Sequence, residues 1–434
     1  MEEKNGFDLS VVKDFINKES LSGIVLFVAT VAAILIANSS LGQTYLDFWN
    51  LNLGISLGEF NISMTLTYWI DDALMALFFL MVGLEIKREL LYGELSSLKK
   101  ASLPIFAALG GMIVPAFIYF LFNTSGEESN GFGIPMATDI AFALGVLMLL
   151  GKKVPLQLKV FLVSLAVVDD LGAVIVIALF YTSNIDINYL FASIGVLFLL
   201  FLLNKFNVKS LIPYLLLGVI LWITVHSTGV HATIAGVLLA LFIPIHSKIN
   251  DDSFIENVKS ALNEFSENKD EKPLLTHKQQ DAMEIIASSY DKVQSPLVKL
   301  EHSLHSFSAF VIMPLFAFSN AGFVIDMDNL QYSSVMFGIA FGLLLGKPIG
   351  IVIFSLLAVK LKIAQMPQGM NLSSLLGVGL LAGIGFTMSI FISHLAFDSQ
   401  AMIDNAKLAI LVTSFIAAIL GTLVLIANFR KNIT

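Results

Sequence analysis

Apolar runs long enough to cross a lipid bilayer, separated by polar breaks, constrain this chain more than any other feature. Twelve can be read, at about 20–37, 66–86, 102–122, 130–150, 157–181, 187–204, 209–226, 230–246, 306–322, 335–359, 372–396 and 404–429. A hydrocarbon core about 30 Å thick takes about 20 apolar residues per helix. Inside it, only helices and closed barrels satisfy their own backbone. Hydrophobic residues make up 56% of the 434 and charged ones only 13%, about half the share a soluble domain uses. The expectation is an all-α polytopic membrane protein with about 12 transmembrane helices.

The basic residues test that count. With the N-terminus in the cytoplasm, 23 of the 25 lysines and arginines fall on the cytoplasmic side. Lys407 falls outside and Lys347 within a helix. Such an excess is the positive-inside rule, and one helix more or fewer would scramble it. Both termini are therefore expected inside. The chain then divides into a tail at 1–19, helices one to eight over 20–246, a cytoplasmic insert over 247–305, helices nine to twelve over 306–429 and a tail at 430–434. The acidic, polar N-terminus lacks the basic-then-apolar order of a cleaved signal peptide. A chain with no cysteine has no disulfide or thiol chemistry. A net charge of −8 without any basic tract argues against a nucleic-acid partner and leaves membrane lipid.

Two segments outside the runs have character. Residues 51–64 alternate apolar and polar, through Leu51, Leu53, Ile55 and Leu57, then Phe60, Ile62 and Met64, with Gly58-Glu59 at the change of phase. That pattern predicts an external β-hairpin. A lone hairpin is marginal in water, so it lies on its own helices or pairs with a second copy in a homodimer. The insert carries 7 basic and 11 acidic residues over 247–301. Met283, Ile286, Tyr290, Val293, Leu297, Leu300 and Leu304 form a helical stripe near its end, with a kink expected at Pro296. The stripe is either a surface helix leading into helix nine or a partner-binding face.

Four ionisable residues stand near the middle of their runs: Asp139, Asp169, Asp170 and Lys347. Charge in the hydrocarbon is costly and marks ion pathways. Asp139 follows Gly131, Gly133, Pro135 and Thr138, which interrupt the fourth run. Freed carbonyls, carboxylates and the Thr138 hydroxyl make an all-oxygen site suited to a small hard cation. Asp169 and Asp170 are successive, so they point about 100° apart on a helix. A buried carboxylate pair titrates as a unit. A cation and a proton then compete for the same oxygens, which is antiport in its simplest form. Lys347, in LLLGKPIG, needs a buried acid, either Asp169 or Asp139, as a structural pair or as a partner released on ion binding. Gly377, Gly379, Gly383 and Gly385 interrupt the eleventh run as the fourth is interrupted. Helices three to five and ten to twelve would then be inverted repeats, with two interrupted helices crossing at the midplane. His231 and His394 stand alone and read as packing or polar contacts. Glu85 and Glu89, with His302 and His305, cluster at the cytoplasmic edge, as ordinary interfacial charge or as a pH-responsive group.

The stretches YWIDDALMALFFLMVGLEIKREL, PMATDIAFALGVLMLLG, KVFLVSLAVVDDLGAVIVIALFYT, GVHATIAGVLLA, LEHSLH, MPLFAFSNAG, GLLLGKPIGI and GVGLLAGIGFTMSIFI resemble the NhaA-type sodium/proton antiporters. That family is itself among the known cases of paired broken helices. The insert at 247–296 lies outside the resemblance, and Asp71 is an extra acid beside Asp72. The resemblance implies a multi-pass transporter of the bacterial inner membrane that expels Na⁺ or Li⁺ and takes up protons. It implies electrogenic exchange, activation at alkaline pH and a homodimer, with no cofactor beyond the transported ions. It makes Asp169, Asp170, Asp139 and Thr138 the cation- and proton-binding group, with Asp169, Asp170 and Thr138 as the Na⁺ ligands, Thr138 and Asp139 at the crossing and Lys347 as the buried amine. Asp72 becomes an acid at the entrance, and Glu85, Glu89, His302 and His305 belong to the pH response.

Rival classes fit less well. The same carboxylates could couple protons to K⁺. An anionic substrate would need a buried arginine clamp, and the chain has only Arg88 and Arg430, both at the cytoplasmic edge. An intramembrane aspartyl protease also uses two buried acids sharing a proton. It lacks support here, because Asp169 follows Val167-Val168 rather than the Gly-x-Gly of that signature. An enzyme is not expected.

Overall fold

The computed structural model describes residues 9–57, 60–151, 154–182, 185–267, 274–324, 333–367 and 369–431. The chain begins with α1 (Leu9–Ala37) and α2 (Gly42–Trp49), which turns 116° away from it. Two strands follow, β1 (Asn52–Leu57) and β2 (Phe60–Thr65), paired antiparallel with Leu53 opposite Met64 and Ile55 opposite Ile62. The Gly58-Glu59 turn lies outside the described residues. Next come α3 (Leu66–Trp69), a π turn at Ile70–Leu74, α4 (Met75–Tyr92) and α5 (Leu98–Phe122). The run at 130–150 is a 3₁₀ segment, Glu127–Met136, then an extended link and α6 (Ile140–Leu149). After it come α7 (Leu156–Phe180), α8 (Ile187–Lys205), α9 (Leu211–Ser227) and the short α10 (Thr233–Phe242).

The insert contributes α11 (Asp251–Glu267) and α12 (His277–Val293), which pack on each other, and α13 (Pro296–Phe307). The kink expected at Pro296 is instead a boundary between two helices. The Ser295 hydroxyl accepts the Val298 N–H at 3.2 Å, and Pro296 occupies the first turn. An N–H there has no partner in the helix, so proline costs nothing at that position. The chain continues through a π turn at Ser308–Ile312, α14 (Met313–Asn320), α15 (Ser334–Phe341), a π turn at Gly342–Gly346 and α16 (Lys347–Lys360). It ends with α17 (Leu372–Ala382), α18 (Phe386–Ala396), bent 50° from α17, and α19 (Gln400–Lys431).

Among the described residues, seven helical stretches are long and apolar enough to cross a membrane, and nine if each bent pair counts once. The α9 and α10 helices are shorter and apolar. The fold is therefore helical and polytopic. Its outside is apolar: α8 leaves Phe191, Ile194 and Phe198 exposed, as contact with lipid requires. Inside, one large apolar cluster spans most helices. A second gathers Leu80, Leu200, Tyr214, Leu221 and Leu239 where α4 meets α8, α9 and α10. The α5 and α16 helices meet backbone to backbone: a Cβ on Gly350 would collide with the Gly110 carbonyl, and one on Gly110 with that of Gly350. Only glycine allows this approach, and it brings Lys347, at the start of α16, into the centre of the bundle.

Candidate functional site

The two interrupted helices touch at their breaks. The Asp139 N–H donates to the Ile384 carbonyl at 2.7 Å, and the Thr138 hydroxyl lies 3.0 Å from the Ala382 carbonyl. Asp139 is wholly buried, and its carboxylate caps two helices. One oxygen accepts the Phe142 N–H of α6 at 3.0 Å. The other accepts the Thr387 N–H of α18 at 3.2 Å and also its hydroxyl. Aspartate suits such positions because a helix N-terminus leaves orphan N–H donors and a partial positive charge. The bend into α18 is tight: Phe386 has a positive φ of 23°, and its N–H is held by the Ser414 hydroxyl at 3.2 Å.

The α7 helix presents Asp169 and Asp170 to the same region, at 2% and 5% exposure. Asp169 Oδ2 accepts the Thr138 hydroxyl at 2.7 Å and pairs with Lys347 Nζ at 2.9 Å. Lys347 also donates to the Met136 carbonyl, at the end of the 3₁₀ segment. Of the two partners open to this lysine from the sequence, it takes Asp169, while Asp139 serves the helix ends. The other Asp169 oxygen, Oδ1, is buried and has no hydrogen-bond partner among the described residues. Asp170 lies within electrostatic reach of Asp169, Glu85, Lys347 and Asp139. A carboxylate oxygen left bare in a low-dielectric interior is costly. It is also what a small cation or a proton would occupy.

A cavity of about 510 Å³ opens between α4, α6, α7 and α13. Glu85, Arg88, Glu301, His302 and His305 line it together with Ala141, two residues from Asp139. Arg88 Nε donates to both oxygens of Glu301, at 3.0 and 3.1 Å, and its Nη1 lies 2.7 Å from Glu89. Glu89 sits beside the cavity and accepts the Glu94 N–H at 2.9 Å. At the opposite end of α4, Asp72 pairs with His226 at 2.9 Å.

The residues singled out from sequence thus form three groups. Thr138, Asp139, Asp169, Asp170 and Lys347 come together at the breaks. Glu85, His302 and His305 share the cavity, with Glu89 at its side. Asp72 stands apart. Sequence reasoning passed over Arg88 and Glu301 as a central pair, Thr387 as the partner of Asp139, and His226. Glu301 had a signal, since it precedes His302 in the stretch LEHSLH; the other three had none stronger than their residue type.

Comparison with known proteins adds an independent line. The family model described as Na⁺/H⁺ antiporter 1 matches residues 13–425. The Na⁺/H⁺ antiporter NhaA 1 of Aliarcobacter butzleri strain RM4018 is 52% identical over 425 residues, which is 98% of each chain. The Na⁺/H⁺ antiporter NhaA of Helicobacter pylori strain P12 is 53% identical over 431 residues, 99% of this chain and 98% of that one. The antiporter NhaA of Wolinella succinogenes is 53% identical over 420 residues, 96% of this chain and 93% of its own. Coverage of that extent runs through the insert at 247–296, which therefore falls within the likeness and not outside it.

Proposed function

The chain belongs to the Na⁺/H⁺ antiporter family, and on that premise we infer that the buried cluster at the helix breaks is where it exchanges Na⁺ for protons. It is a multi-pass membrane transporter, not an enzyme, and its cargo is Na⁺ and H⁺. The observation that carries the assignment is Asp169: one oxygen is held by Thr138 and Lys347, and the other is buried and bare.

The cycle follows from competition. With Asp169 paired to Lys347, the site is satisfied without a cation. A Na⁺ or Li⁺ arriving between Asp169, Asp170 and the Thr138 oxygen replaces the positive charge of the ammonium. Lys347, released from Asp169, then gives up its proton, and Asp170 gives up a second. Exposure to the other side reverses the order: protons return to Asp170 and to Lys347, the cation leaves and the bridge between ionised Asp169 and the ammonium re-forms. More protons than cations per turn makes the exchange electrogenic. Asp139, at the crossing, completes the cation- and proton-binding group, and its carboxylate compensates both helix ends as charges come and go.

The topology that suits this cycle has twelve spans, the broken pair crossing at the midplane and both termini in the cytoplasm of a bacterial inner membrane. The cavity with Glu85, Arg88, Glu301, His302 and His305 is then the cytoplasmic approach, and Glu89 beside it shares in activation at alkaline pH. Asp72 marks the external entrance. The hairpin of β1 and β2 pairs with a second copy in a homodimer.

The test is ΔpH dequenching in proteoliposomes on adding Na⁺, Li⁺, K⁺ or Ca²⁺. Na⁺ and Li⁺ should dequench, and Asp170→Asn, which keeps shape and removes charge, should abolish the response while the protein still inserts. Apparent Na⁺ affinity should fall between about pH 9 and about pH 6, since protons claim the same oxygens. Exchange near the wild-type rate in Asp170→Asn, or an affinity flat across that range, would refute the assignment.

A further inference from the structure

The π turn at Ile70–Leu74 does something an α-helix would not. It presents two successive carboxylates to two different helices. Asp72 Oδ2 pairs with His226 Nδ1 of α9 at 2.9 Å. Asp71 Oδ2 lies 3.6 Å from His394 Nδ1 of α18, and its Oδ1 accepts the amide of buried Asn320 at 2.7 Å. The His226 ring is enclosed by aromatics, stacked on Trp222 with centroids 5.8 Å apart and edge-on to Tyr68 at 6.1 Å. Trp222 stacks in turn on Trp69, whose indole N–H donates to the Leu53 carbonyl of β1. Antiport as derived above uses neither histidine.

The α18 helix connects this cluster to the site. His394 is near its C-terminal end, and Thr387, which holds Asp139, is at its start. Seven residues of helix separate them, about 10 Å. The helix is thus gripped at both ends by aspartates, and α9 is tied to the same turn by His226. Releasing α18 from the π turn requires the Asp71–His394 contact to part.

We propose that the Asp72–His226 pair is an external proton-binding station, and that its protonation, on the π turn that also carries the Asp71–His394 contact, straps the outer mouth shut. The ligand is a proton from the external medium, and the side is set by the orientation proposed above, on which this inference rests. A neutral imidazole gives Asp72 an ordinary hydrogen bond. A protonated one gives a charge-assisted bond about twice as strong. The groups facing His226 are Asp72 and Tyr68, with His231 also within reach of Asp72. Those facing His394 are Asp71, Lys407 and Asp404, with Asn320 on the other oxygen of Asp71. The proton is assigned to the closer pair, Asp72–His226 at 2.9 Å, and the longer Asp71–His394 contact at 3.6 Å serves as the fixed hold.

The chain has no cysteine, so Ser319→Cys, beside Asn320, supplies a sole thiol. Its labelling by a membrane-impermeant maleimide from the outside is compared with the same variant carrying His226→Gln and His394→Gln. The shared background cancels the pH dependence of the thiol itself. External acid should slow labelling about fivefold more in the histidine-bearing protein, the ratio expected for a strengthened charged bond. The same pH dependence in both would overturn the proposal. A second measurement needs no cysteine: Na⁺/Na⁺ exchange at fixed internal pH while external pH varies. His226→Gln should match wild type at alkaline external pH and keep its rate in acid, where wild type slows. If the variant and wild type share one profile, or the variant is slow at every pH, the station is only structural and the proposal falls. A wild-type protein with no Na⁺ exchange at all would instead sink the transport assignment.

Discussion

Lys347→Ala isolates the bridge at the centre of the molecule. Lys347 is fully buried, and so is Asp169, with the pair 2.9 Å apart. Removing the ammonium leaves Asp169 with a single donor, the Thr138 hydroxyl, and leaves the Met136 carbonyl without the lysine. An uncompensated buried charge of this kind costs roughly 3–5 kcal/mol. The double variant Lys347→Ala with Asp169→Asn has no charge left to strand and should regain most of the stability. Denaturation of the purified protein in detergent, followed by tryptophan fluorescence, measures all three proteins. Lys347→Arg is the control: it keeps the charge, but its planar fork does not deprotonate, so stability should hold while the pH profile of exchange shifts. If the double variant regains nothing, the bridge to Asp169 does not carry the stability and the reasoning fails.

Two further outcomes follow from other parts of the bundle. Gly350→Ala places a methyl group on the Gly110 backbone, which cannot rotate away; overpacking of about 1–3 kcal/mol and a displaced Lys347 should lower both thermal stability and exchange, and an unchanged variant would mean the helices part easily. Lys87, just past the second apolar run, donates to the Leu241 and Ile243 carbonyls at 2.7 and 2.6 Å, and burial pushes its amine down to about 8. The folded state then binds fewer protons than the unfolded one from about pH 8 up to the usual lysine value of 10.5, so stability should rise with pH across that window and the rise should vanish in Lys87→Met; NMR of the dimethylated amine should give a midpoint near the lower value, and an ordinary lysine midpoint would refute it.

Much of this was open to sequence reading because a bilayer imposes strict rules. Apolar length marks spans, and a charge in mid-span demands a partner, which is why Asp139, Asp169, Asp170 and Lys347 stood out together. Glycine and proline around Thr138 and near Gly383 likewise announced broken helices. The choice of Asp169 over Asp139 as the lysine's partner was not legible. It depends on Asp139 being consumed by Phe142 and Thr387, and so on how two distant breaks are set against each other. His226 and His394 were opaque for a similar reason. A histidine near a helix end is ordinary until a π turn aims successive acids at two of them. Pro296 misled in a smaller way: the pattern gave one kinked helix, whereas Ser295 supplies the cap that starts a new one.

One carboxylate, that of Asp139, serves as the anchor for both α6 and α18. Neither half-helix can turn by itself without forfeiting a bond to that carboxylate. The two therefore behave as the arms of a single lever with its fulcrum at the breaks, and a push on either arm is felt at once on the other. In a transporter built this way, a movement that opens one side is tied through a single side chain to a movement on the other.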